Sequence, residues 1–99
     1  MEPNTDALLQ QLTAQVGSAS QLLWHCPLSQ EQVLQIVPQL MARLDCRLGA
    51  VQQGADRLFW PVRFEDAKLT LQFEAVCDSL WLEGPVAEIQ FLAKLNPYQ

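Results

Sequence analysis

Residues 57–84 read RLFWPVRFEDAKLTLQFEAVCDSLWLEG, and the apolar period of this stretch decides the fold. Leu58, Trp60, Val62 and Phe64 alternate with Arg57, Phe59, Pro61, Arg63 and Glu65. Leu69, Leu71 and Phe73 alternate with Thr70, Gln72 and Glu74, and Leu80 and Leu82 with Ser79, Trp81 and Glu83. A period of two puts each apolar set on one face of a strand. A tight turn at Asp66-Ala67 pairs Glu65 with Lys68, Phe64 with Leu69, Val62 with Leu71 and Trp60 with Phe73. A turn between Val76 and Cys77 pairs Glu74 with Ser79, Phe73 with Leu80 and Leu71 with Leu82. Both hairpins then show their large apolar residues to the same side, an agreement that a one-residue slip would destroy. The segment AVCD, 75–78, reads as a chain reversal, with Glu74 and Glu83 facing outward.

Working outward, a strand over about 47–52 is expected to pair with Arg57 onward across a Gly54-Ala55-Asp56 turn. Two registers are open: one buries Cys46, Leu48 and Ala50, the other Val51 with Gly49 beneath Trp60. Pro61 has no N–H for a ladder, so a bulge or an end to pairing is expected on one side of it. Residues 21–26 form an optional further strand ending at Pro27.

Three helices complete the reading. The first, over 6–16, has Asn4, Thr5 or Asp6 as caps, an apolar stripe of Leu8, Leu9, Leu12 and Val16, and Gly17 as its stop. The second, over 30–45, opens on a capping box, Ser29 with Gln32, and a Leu28–Val33 staple. Val33, Ile36, Val37, Leu40, Met41 and Leu44 face its core, and Pro38 kinks it or splits it in two. The third, over 85–95, has Pro85 at its first position, with Glu88 and Lys94 complementing the dipole. The expectation is one α+β domain over residues 1–99. Its sheet is an antiparallel meander of three to five strands (47–52, 57–65, 69–75, 79–83, and optionally 21–26).

Composition bounds the function. Ninety-nine residues, 49% hydrophobic and 17% charged, suit one ordinary packed core rather than a disordered chain. No apolar run approaches the roughly 20 residues of a membrane span. The acidic, polar start Met-Glu-Pro-Asn-Thr-Asp is unlike a secretory signal, so a cytoplasmic location is expected. Net charge is −5, and the six basic residues, Arg43, Arg47, Arg57, Arg63, Lys68 and Lys94, are spread along the chain. Neither nucleic acid nor a membrane surface is an expected partner. Thirteen glutamines read as solvated surface.

Catalytic chemistry finds little support. The single histidine, His25, is remote in sequence from Cys77, and an acidic neighbour such as Asp78 disfavours a thiolate. His25, Cys26, Cys46 and Cys77 have zinc-ligand chemistry but not the close spacing of a structural site, and adjacent strand residues point apart. Glu65-Asp66 belongs to a turn, and the four glycines form no phosphate loop. No enzyme activity and no cofactor are expected. The lead that remains is a protein-interaction patch of Phe59, Arg63, Gln72 and Trp81 on the sheet face away from the core. The alternative is a small-molecule or metal-binding thiol site around His25, Cys26 and Cys77.

Within 54–84, Gly54, Asp56, Arg57, Trp60, Phe64-Glu65, Leu69, Leu71, Phe73-Glu74 and Asp78-Ser79-Leu80-Trp81-Leu82-Glu83 carry a resemblance. The pattern is similar to a family of short bacterial proteins, about 100 residues long, built on a domain of unknown function. The resemblance implies a small bacterial cytosolic protein and brings no activity with it. The reading is therefore a small acidic interaction module or homodimer.

Overall fold

The computed structural model describes residues 5–15 and 17–96. Along the chain run α1 (Thr5–Leu9), β1 (Thr13–Gln15), β2 (Gln21–His25), α2 (Gln30–Arg43), β3 (Arg47–Leu48), β4 (Gln52–Gln53), β5 (Arg57–Phe64), β6 (Ala67–Glu74), β7 (Ser79–Glu83) and α3 (Val86–Leu95). The α+β class holds. The sheet is larger than expected: seven antiparallel strands in the order β1-β2-β7-β6-β5-β3, with β4 also on β5.

The β6–β7 register is as read: Glu74 faces Ser79, Phe73 faces Leu80 and Leu71 faces Leu82. The β5–β6 hairpin needs a correction. Its turn is Glu65-Asp66, so Phe64 pairs with Ala67, Val62 with Leu69, Trp60 with Leu71 and Leu58 with Phe73. The partners shift by two residues, which leaves every side chain on its expected face. The apolar pattern is blind to such a shift. The turn is set locally by Glu65, which takes a left-handed φ of 54°.

Residues 21–25 are a full strand, inserted between β1 and β7: Leu22 faces Leu82 and Trp24 faces Leu80. The expected helix over 6–16 stops at Leu9. Gln10 and Gln11 turn, and Thr13–Gln15 pairs with β2, Ala14 opposite Trp24. A lone helix of eleven residues is marginal; the ladder satisfies this backbone while Leu9 and Leu12 are still buried. Asn4 and Val16, the proposed cap and stripe member, lie outside the described residues.

The strand expected over 47–52 is two short strands around a bulge. Leu48 pairs with Val62 and Gln52 with Phe59, so three residues of one chain face two of the other. Each register holds only in part: Cys46 is buried and Leu48 half-buried before the bulge, whereas within it Ala50 is exposed and Val51 half-buried. Pro61 explains the site. The Gly49 N–H donates to the Pro61 carbonyl at 2.7 Å, so Pro61 turns its polar backbone side toward β3. Its missing N–H therefore falls where the ladder is already broken.

All three helices bury side chains in one core. Leu9, Val33, Ile36, Val37, Leu40, Met41, Ile89 and Leu92 join Leu22, Trp24, Leu58, Trp60, Val62, Leu71, Phe73, Leu80 and Leu82. The Trp24 indole N–H reaches the Asn96 side-chain oxygen at 3.3 Å, tying β2 to the end of α3. α2 runs unbroken through Pro38. Ser29 closes the expected box: its hydroxyl accepts from the Gln32 N–H at 3.2 Å, and the Ser29 N–H donates to the Gln32 side chain at 3.0 Å. α2 ends in a Schellman motif, with Cys46 N–H to the Met41 carbonyl (2.9 Å) and Asp45 N–H to the Ala42 carbonyl (3.1 Å). Asp45 holds a left-handed φ of 58° there.

Two substitutions test these ends. Ser29→Ala removes a cap and should lower unfolding free energy by about 1 kcal/mol in urea titration. Asp45→Gly relieves a strained position and should raise it by about 0.5 kcal/mol. A neutral Ser29→Ala or a destabilised Asp45→Gly contradicts this account.

Candidate functional site

Among the described residues, the sheet face opposite the core carries no member of the buried apolar cluster that the three helices share. Pairing places one row across it: Gln15 opposite Leu23, Leu23 opposite Trp81, Trp81 opposite Gln72, Gln72 opposite Phe59 and Phe59 opposite Gln52. Leu23, Trp81, Gln72 and Phe59 are half-buried, and the terminal glutamines are exposed. Opposite side chains in such a ladder have Cβ atoms about 5 Å apart, so the row is a continuous strip.

Three of the four expected patch residues, Phe59, Gln72 and Trp81, thus stand together. Phe59 lies opposite Gln72, not Glu74, because of the corrected hairpin. Arg63 does not join them; it stands four residues along β5, opposite Lys68 and Arg47. Leu23 is the member that sequence reasoning missed. Its signal was the alternation of Leu22, Trp24 and Cys26 with Leu23 and His25, which fixes the outward set once 21–25 is a strand.

Polar groups flank the strip on both sides. Arg57 and Glu74 form an ion pair at 3.2 Å, and the Gln21 side chain donates to Glu83 at 2.9 Å. These pairs hold Glu74 and Glu83 outward, as expected. The strip can offer apolar area, an indole and an amide; it holds no grouped acid and base.

The geometry does not favour the thiol alternative. His25 and Cys26 are on opposite faces, with Cys26 in the core. Burial, partly offset by a backbone hydrogen bond at Leu28 and reinforced by Asp78, pushes the Cys26 thiol up to about 12. Burial and Asp45 push Cys46 up to about 11. Cys77 is exposed in the β6–β7 turn, 3.7 Å from Glu74. Among the described residues no group of three or more His, Cys, Asp or Glu is placed to hold a metal.

The two raised thiols have a sign that can be tested. Protonated Cys26 and Cys46 match the unfolded chain at neutral pH, and the mismatch begins only when unfolded thiols ionise, near pH 9. Stability should then fall as pH rises toward 12. Cys26→Ala should flatten that fall. Ellman's reagent should label one thiol, Cys77, rapidly in the native chain and all three after denaturation. Rapid labelling of two or more native thiols contradicts this.

Among the described residues no helix is long and apolar enough to cross a membrane. No curated protein and no solved structure matches the chain. A family described as "Protein of unknown function (DUF3630)" matches residues 8–97, extending the likeness seen over 54–84 to nearly the whole chain. The chain belongs to the DUF3630 family.

Proposed function

We propose that this chain is a non-enzymatic interaction module that pairs with a second copy of itself through the open sheet face. The observation that supports it is the strip of Leu23, Trp81, Gln72 and Phe59 across four neighbouring strands. A two-fold axis parallel to the strands reverses the row. Trp81 then meets Gln72 of the second copy, Leu23 meets Phe59, and Gln15 meets Gln52. The face is self-complementary, as an isologous interface requires. Aligned sheets packing about 10 Å apart accommodate this arrangement.

The edges are poorer surfaces. β1 has three residues and β3 and β4 have two each, too short to template another strand. Six strands span about 24 Å at the usual spacing, which puts the face at the low end of specific interfaces. Pairing at micromolar concentration is the expectation. Each copy carries −5, so added salt strengthens a homodimer, whereas it would weaken capture of a basic partner.

Sedimentation over a range of concentrations tests the reading. The wild-type chain should show a monomer–dimer equilibrium that tightens with salt. Trp81→Ala should weaken it about tenfold or more, since a central aromatic anchor is lost. Its cost to folding should be well below that of Trp60→Ala, which removes a core ring worth about 3–5 kcal/mol. A wild type that stays monomeric throughout, or a Trp81→Ala variant with unchanged association, sinks the proposal.

A further inference from the structure

Half of the chain's six basic residues stand in one row. Arg47 lies opposite Arg63 across β3–β5, and Arg63 opposite Lys68 across β5–β6. All three are exposed. The ion pairs among the described residues are Arg43–Asp6 and Arg57–Glu74, so no carboxylate engages any of the three. The row sits at the turn end of the open face, two rows beyond Phe59.

The phase of the ladder brings two of them closer. Pro61 directs its carbonyl to Gly49, so Arg63, two residues on, also turns its backbone groups toward β3. Arg63 and Lys68 are therefore a non-hydrogen-bonded pair, the kind with the shorter side-chain separation. Like charges placed directly opposite destabilise a sheet. No ion pair among the described residues engages the row, so a bound anion would reduce that repulsion.

A recess of about 570 Å³ opens beside the row, lined by Arg47, Arg63 and Lys68 together with Leu48, Pro61 and Thr70. That size is typical of small-ligand sites. Gly49 shapes its wall: a Cβ there would lie 2.6 Å from the Pro61 ring, so only glycine lets proline seat this closely. A second recess of about 420 Å³ shares the two arginines but is lined by Asp45, Glu65 and Asp66, which repel anions.

We propose that the first recess binds a small, soluble phosphate monoester with an apolar organic part. Arg47, Arg63 and Lys68 hold the phosphate, and the Pro61 ring, on the same face, packs against the organic part. Guanidinium forks match paired phosphate oxygens, and a dianion compensates three cations better than a single carboxylate does. A lipid phosphate is the poorer source, because an anionic membrane surface repels a chain of −5.

Titration of the full chain with phenyl phosphate, followed by amide NMR shifts, tests the site. Saturable binding should perturb Arg47, Arg63 and Lys68, with inorganic phosphate about tenfold weaker and phenol silent. Arg63→Gln and Lys68→Gln should each weaken binding about tenfold, while Lys94→Gln on α3 leaves it unchanged. Should Arg63→Gln fail to fold, Lys68→Gln, at an exposed position, carries the comparison. No binding of phenyl phosphate at about 10 mM, or equal loss in Lys94→Gln, overturns the site. Inorganic phosphate binding as tightly as the ester overturns the apolar subsite. Co-sedimentation with phosphatidic acid vesicles overturns the assignment to a soluble ester.

Discussion

Everything in this fold hangs on the parity of three neighbouring strands. Trp60, Leu71 and Leu82 form one cross-strand row, and Leu58, Phe73 and Leu80 the next, all on the buried side. Because side chains alternate, no strand of the trio can slip by one residue without turning its apolar set into water. That parity dictates where β2 puts Leu22 and Trp24, and where the helices must lie. It equally dictates the opposite face. Once the core takes the even positions of β5, β7 and β2 and the odd positions of β6, Leu23, Phe59, Gln72 and Trp81 are committed to the uncovered side.

The same parity explains what the sequence made legible. The apolar period fixed faces well, so the β6–β7 register, the hidden side of β5 and the outward placement of Phe59, Gln72 and Trp81 were readable. Local hydrogen-bonding chemistry was readable too, and the Ser29–Gln32 box is the example. What escaped were features to which the period is indifferent. A two-residue shift at the β5–β6 turn preserves every face, and only Glu65 adopting a left-handed φ of 54° decides it. The 47–53 segment held two half-registers joined by a bulge, which a single alternating template cannot represent. The N-terminal segment carries a helical stripe, and pairing with β2 overrides it after Leu9.

Topology concealed the charges in another way. Arg47, Arg63 and Lys68 look scattered because sequence distance says nothing about which strands become neighbours. Strand order brings them into line, at one end of a face whose middle is apolar. An acidic chain thus presents, at that end of the sheet, a local field opposite in sign to its net charge.

The placement of β2 beside β7 also bears on how the chain is made. Gln21 and Glu83, whose side chains touch, are separated by 62 residues. On a ribosome adding about 5–20 residues per second, β2 waits roughly 3–12 s for its partner strand to be synthesised. During that interval its Leu22 and Trp24 lack both β7 and α3, which are made last. The sheet is therefore completed late, by its last strand slotting into the middle. Such non-local closure slows folding, and the nascent chain is most exposed to misassociation just before β7 appears.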